Sequence, residues 1–199
     1  MERGYGMVVP ALFWVFQITV GLWILAEIVL QVVQFRRGAR ARTTEWRSLG
    51  AIVLGIALGD VLAGLARRFV PVLAAHIPWV VAFSVALPVL WFGIGFRLWA
   101  MRTLGQFFRG VVHVQEGHRL VSAGPYRMLR HPSYTGALIA VVGICLLFNN
   151  FLAMIAFAGC AFAGIYYRIR VEERVLIEGL GAEYAEYRKH TKRLIPGVW

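Results

Sequence analysis

Five apolar stretches divide the chain, at about 8–33, 48–66, 77–101, 134–148 and 151–169. A helix needs roughly 20 apolar residues to cross the hydrocarbon of a bilayer. The first three stretches reach that length. The last two are short and separated only by Asn149-Asn150, which predicts a helical hairpin. It either just reaches the far interface or turns back within the membrane while buried against protein. In both cases the chain returns to the side it left. From Glu172 to His190 the pattern changes: Leu176, Leu180, Tyr184 and Tyr187 recur at helical spacing with charges between them. That is an amphipathic helix, and Gly179 and Gly181 weaken its middle enough to predict two short pieces. Pro88 is expected to kink the third span. The pattern therefore predicts an all-α integral membrane fold: about five transmembrane helices, the last two a hairpin, then a C-terminal amphipathic helix.

Composition agrees. Of 199 residues, 59% are hydrophobic and only 16% charged, where soluble domains carry about a quarter charged. The length fits a single membrane domain, 1–199, whose first two spans lie in 1–70. The first apolar stretch, Met7 to Phe35, is too long for a signal-peptide core and no small-residue cleavage site follows it, so no signal peptide is expected.

The net charge of +11 would suggest nucleic acid in a soluble protein. Here no basic region stands free of the spans, and the charge is better read as flanking arginines that meet anionic membrane lipid, with no nucleic-acid partner. Arg36, Arg37, Arg40, Arg42 and Arg47 fill the first connection; Arg102, Arg109, Arg119, Arg127 and Arg130 the third; Arg170, Arg174, Arg188, Lys189, Lys192 and Arg193 the tail. The other side has Arg3, Arg67 and Arg68. The positive-inside rule then puts the N-terminus outside and the C-terminus in the cytoplasm. Cys145 and Cys160 lie in apolar runs, without CxxC spacing or a neighbouring histidine; they read as packing thiols, and no metal site is expected.

Polar residues beyond charge balance gather in two places. The third connection, Arg102 to Pro132, is long for a compact domain and carries His113, His118, Tyr126 and His131. Within it, Arg130-His131-Pro132-Ser133-Tyr134 opens the fourth span. Pro132 suits a first helical turn and pushes His131 toward extended geometry. The plainer account is an interfacial helix start with a snorkelling Arg130 and a belt Tyr134. At the other place, Arg168 and Glu172 share a helix face and Glu173 adjoins them. A surface ion pair is the plainer account, yet two adjacent carboxylates are unusual in a chain with ten acids, and they suit an amine-bearing ligand. Glu27 and Asp60 lie within spans, where a contact between helices or a protonated acid competes with a functional role. Gly93-Ile94-Gly95 before Arg97 is no dinucleotide fingerprint: the third glycine is missing. Either small residues let helices pack there, or they make room for a ligand beside Arg97.

Taken together, these pieces resemble the isoprenylcysteine carboxyl methyltransferase family, related to the phospholipid N-methyltransferases, over roughly residues 91–196. The matching text is Gly93 and Arg97; Gly117-His118-Arg119-Leu120-Val121; Gly124-Pro125-Tyr126; Arg130-His131-Pro132-Ser133-Tyr134-Thr135-Gly136; Glu172-Glu173; Gly181-Ala182-Glu183-Tyr184-Ala185-Glu186-Tyr187; and Leu194-Ile195-Pro196. Their order and spacing carry the likeness. The first two spans carry no motif of the family.

The resemblance implies an integral membrane enzyme of the cytoplasmic face that binds S-adenosyl-L-methionine, releases S-adenosyl-L-homocysteine and uses no metal. Residues 77–199 become its cofactor-binding catalytic core. Cofactor contacts fall by motif on His118, Arg119, Leu120, Val121, Tyr126, His131, Pro132, Ser133, Tyr134 and Glu172, with Glu173 beside them and His113 at a place where related enzymes use a polar side chain. Arg168 matches a position linked to substrate and Arg97 an arginine of the reacting region; these two are the expected catalytic pair. The expected reaction is carboxyl O-methylation of an isoprenylcysteine-like or other lipid-like carboxylate. The alternatives are N-methylation of an ethanolamine headgroup, a nicotinamide-dependent membrane reductase with a similar tail pattern, and a non-catalytic membrane interaction protein.

Overall fold

The computed structural model describes residues 2–36, 43–105 and 120–199. The helices are α1 (Glu2–Arg36), α2 (Thr43–Phe69), α3 (Trp79–Leu104), α4 (Pro132–Cys145), α5 (Phe151–Leu180) and α6 (Ala182–His190). Long apolar runs must take this form in lipid, because only a helix or a closed barrel satisfies every backbone N–H and C=O without water. α1 and α2 overrun the apolar stretches at both ends, so polar flanks continue the helices toward the interface. α3 continues through Pro88.

Among the described residues, four helices are long and apolar enough to cross a membrane; α4 with the 3-10 turn Leu146–Phe148 is a shorter apolar one. The 14 residues of α4 rise about 21 Å, short of the roughly 30 Å hydrocarbon core. The chain compensates at the hairpin turn. Asn149, in left-handed geometry at φ +50°, pairs its side-chain amide with the N–H and C=O of Ile77, both at 3.0 Å. Asn150 caps α5 by accepting from Ala153 N and donates to the Val70 carbonyl, each at 3.0 Å. The α2–α3 connection thus meets the turn with its own backbone groups. The two asparagines stand where unpaired polar groups would cost most.

Two helix pairs form the body: α2 on α5 and α3 on α4, with α4 against α5 joining them. Both pairs approach backbone to backbone. A Cβ on Gly93 would lie 2.4 Å from Ala140 N, and one on Gly136 2.6 Å from Arg97 N. Gly93 is therefore a packing glycine of the kind that lets membrane helices close together, while Gly95 faces open space. Ala63, Ala66, Val141, Cys145, Ala153, Phe157 and Ala161 form the largest buried cluster.

α1 is different. Its main neighbour is α3, and none of its apolar window is buried within the protein. Trp14, Ile18, Leu22, Leu25 and Ile28 point outward, an apolar surface far beyond what water tolerates. The chain is an integral membrane protein.

One expectation needs correction. Residues 172–180 are no separate amphipathic piece: α5 runs without a break to Leu180 and ends only at Gly181, whose φ of +53° starts α6. Gly179 stays inside the helix, where one glycine costs only about 1 kcal/mol.

Candidate active site

One end of the bundle gathers the chemistry. The last turns of α3, the first turn of α4, the last third of α5, α6 and the tail converge there. The tail is tied in through its backbone: Lys192 N donates to Met128 O at 3.0 Å, Arg130 N to Lys192 O at 2.7 Å and His131 N to Arg193 O at 3.1 Å. Thr135 Oγ1 adds a bond to Leu194 O at 2.8 Å. Pro132 opens α4 as its first residue, leaving His131 at φ −125°, ψ 53°, outside the helical region as a residue before proline must be.

Glu173 is the anchor of this arrangement. Its carboxylate accepts from Arg130 Nε at 2.9 Å and from Arg193 Nε and Nη2 at 3.0 and 2.8 Å, with the side chain only 6% exposed. Arg130 Nη1 also donates to the carbonyls of Thr191 and Arg188. The Glu173 carboxylate holds the Arg193 guanidinium above its ordinary pKa. Glu173 thus fastens the loop before α4 and the tail to α5.

Glu172, one residue before it, points elsewhere. Among the described residues, three side-chain polar atoms are buried without a hydrogen-bond partner: His131 Nε2, Glu172 Oε2 and Tyr184 Oη. His131 Nδ1 stands 3.8 Å from Glu172 Oε2, and His131 Nε2 3.5 Å from Glu173 Oε1, approaches too long to satisfy these atoms. Unmatched buried polar atoms are costly and rare. Tyr126, from the buried 3-10 turn Gly124–Arg127, adds a hydroxyl near Glu172; burial, then that carboxylate, pushes its pKa well above the usual tyrosine value. Burial and the carboxylates of Glu173 and Glu172 do the same to Tyr184. Both phenols stay neutral donors.

The two inward arginines sit beside this group. Arg168, 2% exposed, donates through Nε to Tyr134 Oη at 3.2 Å and through Nη1 to Ser48 Oγ at 2.5 Å. Arg97 donates Nη1 to Ser133 Oγ at 2.7 Å and to Ser133 O at 3.2 Å. Its other donors grip Glu27 of α1: Nε to Oε1 at 2.6 Å and Nη2 to Oε2 at 2.9 Å.

The structure thus brings together Arg97, Tyr126, His131, Pro132, Ser133, Tyr134, Arg168, Glu172 and Glu173. Leu120 and Val121 lie at the approach to the 3-10 turn, half-buried. His113, His118 and Arg119 lie outside the described residues. Four further participants escaped sequence reasoning: Tyr184 as a buried hydroxyl, Ser48 as a partner of Arg168, Arg193 as a partner of Glu173, and Glu27 as the partner of Arg97. Glu27 had a usable signal, because opposite charges inside spans seek each other.

Comparison with known proteins gives the same direction. The model of the isoprenylcysteine carboxyl methyltransferase (ICMT) family matches residues 85–178. The chain is 34% identical to protein-S-isoprenylcysteine O-methyltransferase B of Arabidopsis thaliana over 132 residues, 65% of this chain and 66% of the relative. It is 39% identical to the protein-S-isoprenylcysteine O-methyltransferase of Saccharomyces cerevisiae over 104 residues, 51% of this chain and 44% of that one. The matches thus span about two fifths to two thirds of these relatives' length. The solved structure of a eukaryotic intramembrane Ras methyltransferase of the same family name superimposes with a TM-score of 0.57 at 24% identity, covering 73% of this chain and 52% of that one, a likeness of fold. Through residues 85–178 the chain belongs to the isoprenylcysteine carboxyl methyltransferase family.

Proposed function

We propose that the chain is an S-adenosylmethionine-dependent methyltransferase that esterifies an isoprenylcysteine-like or other lipid-like carboxylate, with residues 77–199 as its catalytic core. The observation that carries this reading is the trio of buried, unpartnered polar atoms on His131, Glu172 and Tyr184 beside two inward arginines. The trio fits the cofactor's polar groups. Glu172 suits an ammonium or ribose hydroxyl, Tyr184 a hydroxyl, and His131 with the first N–H groups of α4 a carboxylate. When bound, S-adenosylmethionine supplies an electrophilic methyl group on a sulfonium sulfur.

The residues of the chain have little proton chemistry to do. A carboxylate substrate is already ionised at neutral pH, so no general base is needed. Arg97 from α3 and Arg168 from α5 approach from different helices and would orient the carboxylate oxygens through their planar donors. What remains is positioning and exclusion of water. The site lies at the end of the bundle where the Arg-rich connections emerge, and the positive-inside rule makes that the cytoplasmic side, with the N-terminus outside. The substrate's apolar tail would lie between spans.

The test is direct. Purified protein is incubated with methyl-labelled S-adenosylmethionine and either host lipid extract or a small isoprenoid thioether acid. A base-labile labelled ester is the expected product. A base-stable methylamine would move the assignment to headgroup N-methylation. Calorimetry showing no S-adenosylmethionine affinity in folded protein would overturn both. A thermal-shift panel including nicotinamide cofactors separates the reductase and non-catalytic alternatives, since only the true ligand stabilises strongly.

A further inference from the structure

Every nitrogen of the Arg97 guanidinium is engaged. Nε and Nη2 grip the two oxygens of Glu27 in a bidentate pair, and Nη1 is held by Ser133. This is the geometry in which arginine recognises a carboxylate. The pair sits beside the first turn of α4, whose Tyr134 also meets Arg168, and the Tyr134 and Tyr126 hydroxyls lie within electrostatic reach of Arg97. A carboxylate of the chain itself therefore occupies the guanidinium that faces the candidate site.

The element that delivers it is the least fastened of the spans. Glu27 lies on α1, outside the residues 85–178 that match the family. α1 is held to α3 by few polar contacts, Thr19 Oγ1 accepting from Trp91 Nε1 at 3.3 Å one of them. The Glu27 side chain is 27% exposed, that of Arg97 12%. An ion pair inside a membrane is not given up to lipid, because separating the charges there is costly. Exchange for another carboxylate differs from that, since the guanidinium stays paired throughout.

We propose that Glu27 is an internal stand-in for the substrate's carboxylate: it holds Arg97 in the substrate-free protein, is displaced when the carboxylate of an acidic lipid-like ligand binds, and so competes with that carboxylate for Arg97. This rests on the carboxylate reading of the function. It assigns Glu27 a competing role at Arg97, with no contact to the reacting methyl group. The cost appears as weakened affinity, because only the fraction of protein with Arg97 released is competent to bind.

The experiment compares two ligands of one shape, farnesylthioacetic acid and its primary amide, by calorimetry on the full chain in lipid nanodiscs. Glu27→Gln keeps the length and one hydrogen bond but removes the competing charge. The expected result is tighter binding of the acid by about tenfold, the scale for releasing a competent state populated at roughly a tenth, with amide affinity unchanged. Glu27→Asp keeps the charge but shortens the reach, and should tighten acid binding by a smaller factor; it serves if Glu27→Gln does not fold. A purely structural Glu27 predicts that both ligands weaken together as the melting temperature falls. That result, or acid affinity unchanged in both variants, overturns the proposal. Methylation is scored separately. Selective tightening without any ester product sinks the reaction reading and keeps Glu27 as the competitor at Arg97; ester formation without selective tightening sinks the Glu27 proposal alone.

Discussion

Glu173 and Glu27 are both carboxylates gripped by arginine, yet their surroundings differ in kind. Glu173 joins Arg130 and Arg193, with His131 close by, and its side chain is 6% exposed. The backbone of residues 128–131 and 192–193 is hydrogen-bonded around it. Glu27 meets one arginine, is 27% exposed, and rides on a helix whose apolar window is wholly unburied within the protein. The first pair can break only by unlacing the loop, the tail and α5 together. The second can open by the movement of one weakly packed helix. The same chemical contact thus serves as a fastening in one place and as an exchangeable partner in the other.

The largest expected effect breaks the fastening. Glu173→Ala strands two guanidinium groups in a buried site and should cost about 3–5 kcal/mol, the usual loss when one partner of a buried pair is removed. Thermal unfolding in detergent measures it. Glu27→Gln should cost less in the same assay, about 1.5–3 kcal/mol, the scale of a hydrogen bond to a charged group; equal losses would erase the distinction between the two carboxylates. Next comes Arg97→Ala, expected to lower kcat by about a hundredfold or more, as when a transition-state hydrogen-bond donor is removed, while S-adenosylmethionine binding measured by calorimetry persists. Glu172→Ala should do the reverse. Cofactor affinity falls by about a hundredfold, the scale of two charge-assisted hydrogen bonds, and the melting temperature of the ligand-free protein drops far less than in Glu173→Ala, because Glu172 Oε2 has no hydrogen-bond partner.

Two pH effects are smaller. With a carboxylate nucleophile the rate should stay flat above about pH 5, whereas an amine nucleophile predicts a rate rising through the amine pKa. Tyr187 donates its hydroxyl to Tyr126 O at 2.6 Å, and burial pushes its pKa up to about 12. Between the ordinary tyrosine value of about 10 and that point, the unfolded chain binds fewer protons than the folded one. Stability is therefore intact below pH 10 and falls as pH rises through this window. Tyr187→Phe should remove only its own share of that alkaline slope in a melting-temperature series, because Tyr126 and Tyr184, also held above the ordinary value, keep theirs.

Much of the site was legible before any coordinates. Arg130-His131-Pro132-Ser133-Tyr134 reads as a helix start, and α4 begins there. Arg168 and Glu172, four apart, fall on one helix in the same region. The division of labour between Glu172 and Glu173 was not legible. Neighbours on a helix point about 100° apart, and which of them meets Arg193 depends on where the tail returns. The break in the last helix was only half legible. Gly179 and Gly181 look alike in sequence, but the turn forms where the backbone takes a positive φ, at Gly181 alone.

The sequence by itself determined the class of the protein: apolar runs of membrane length with charges between them leave helices as the workable solution in lipid, and local spacing places His131 at a helix start and Arg168 and Glu172 on one helix face. Tertiary structure decided the partners. Glu27 meets Arg97 across 70 residues and Ser48 meets Arg168 across 120, because the packing of whole helices sets those distances and no local periodicity encodes them. It also decided that the short α4 closes against backbone from the α2–α3 connection, since a buried turn must find its hydrogen bonds wherever the neighbouring chain happens to pass.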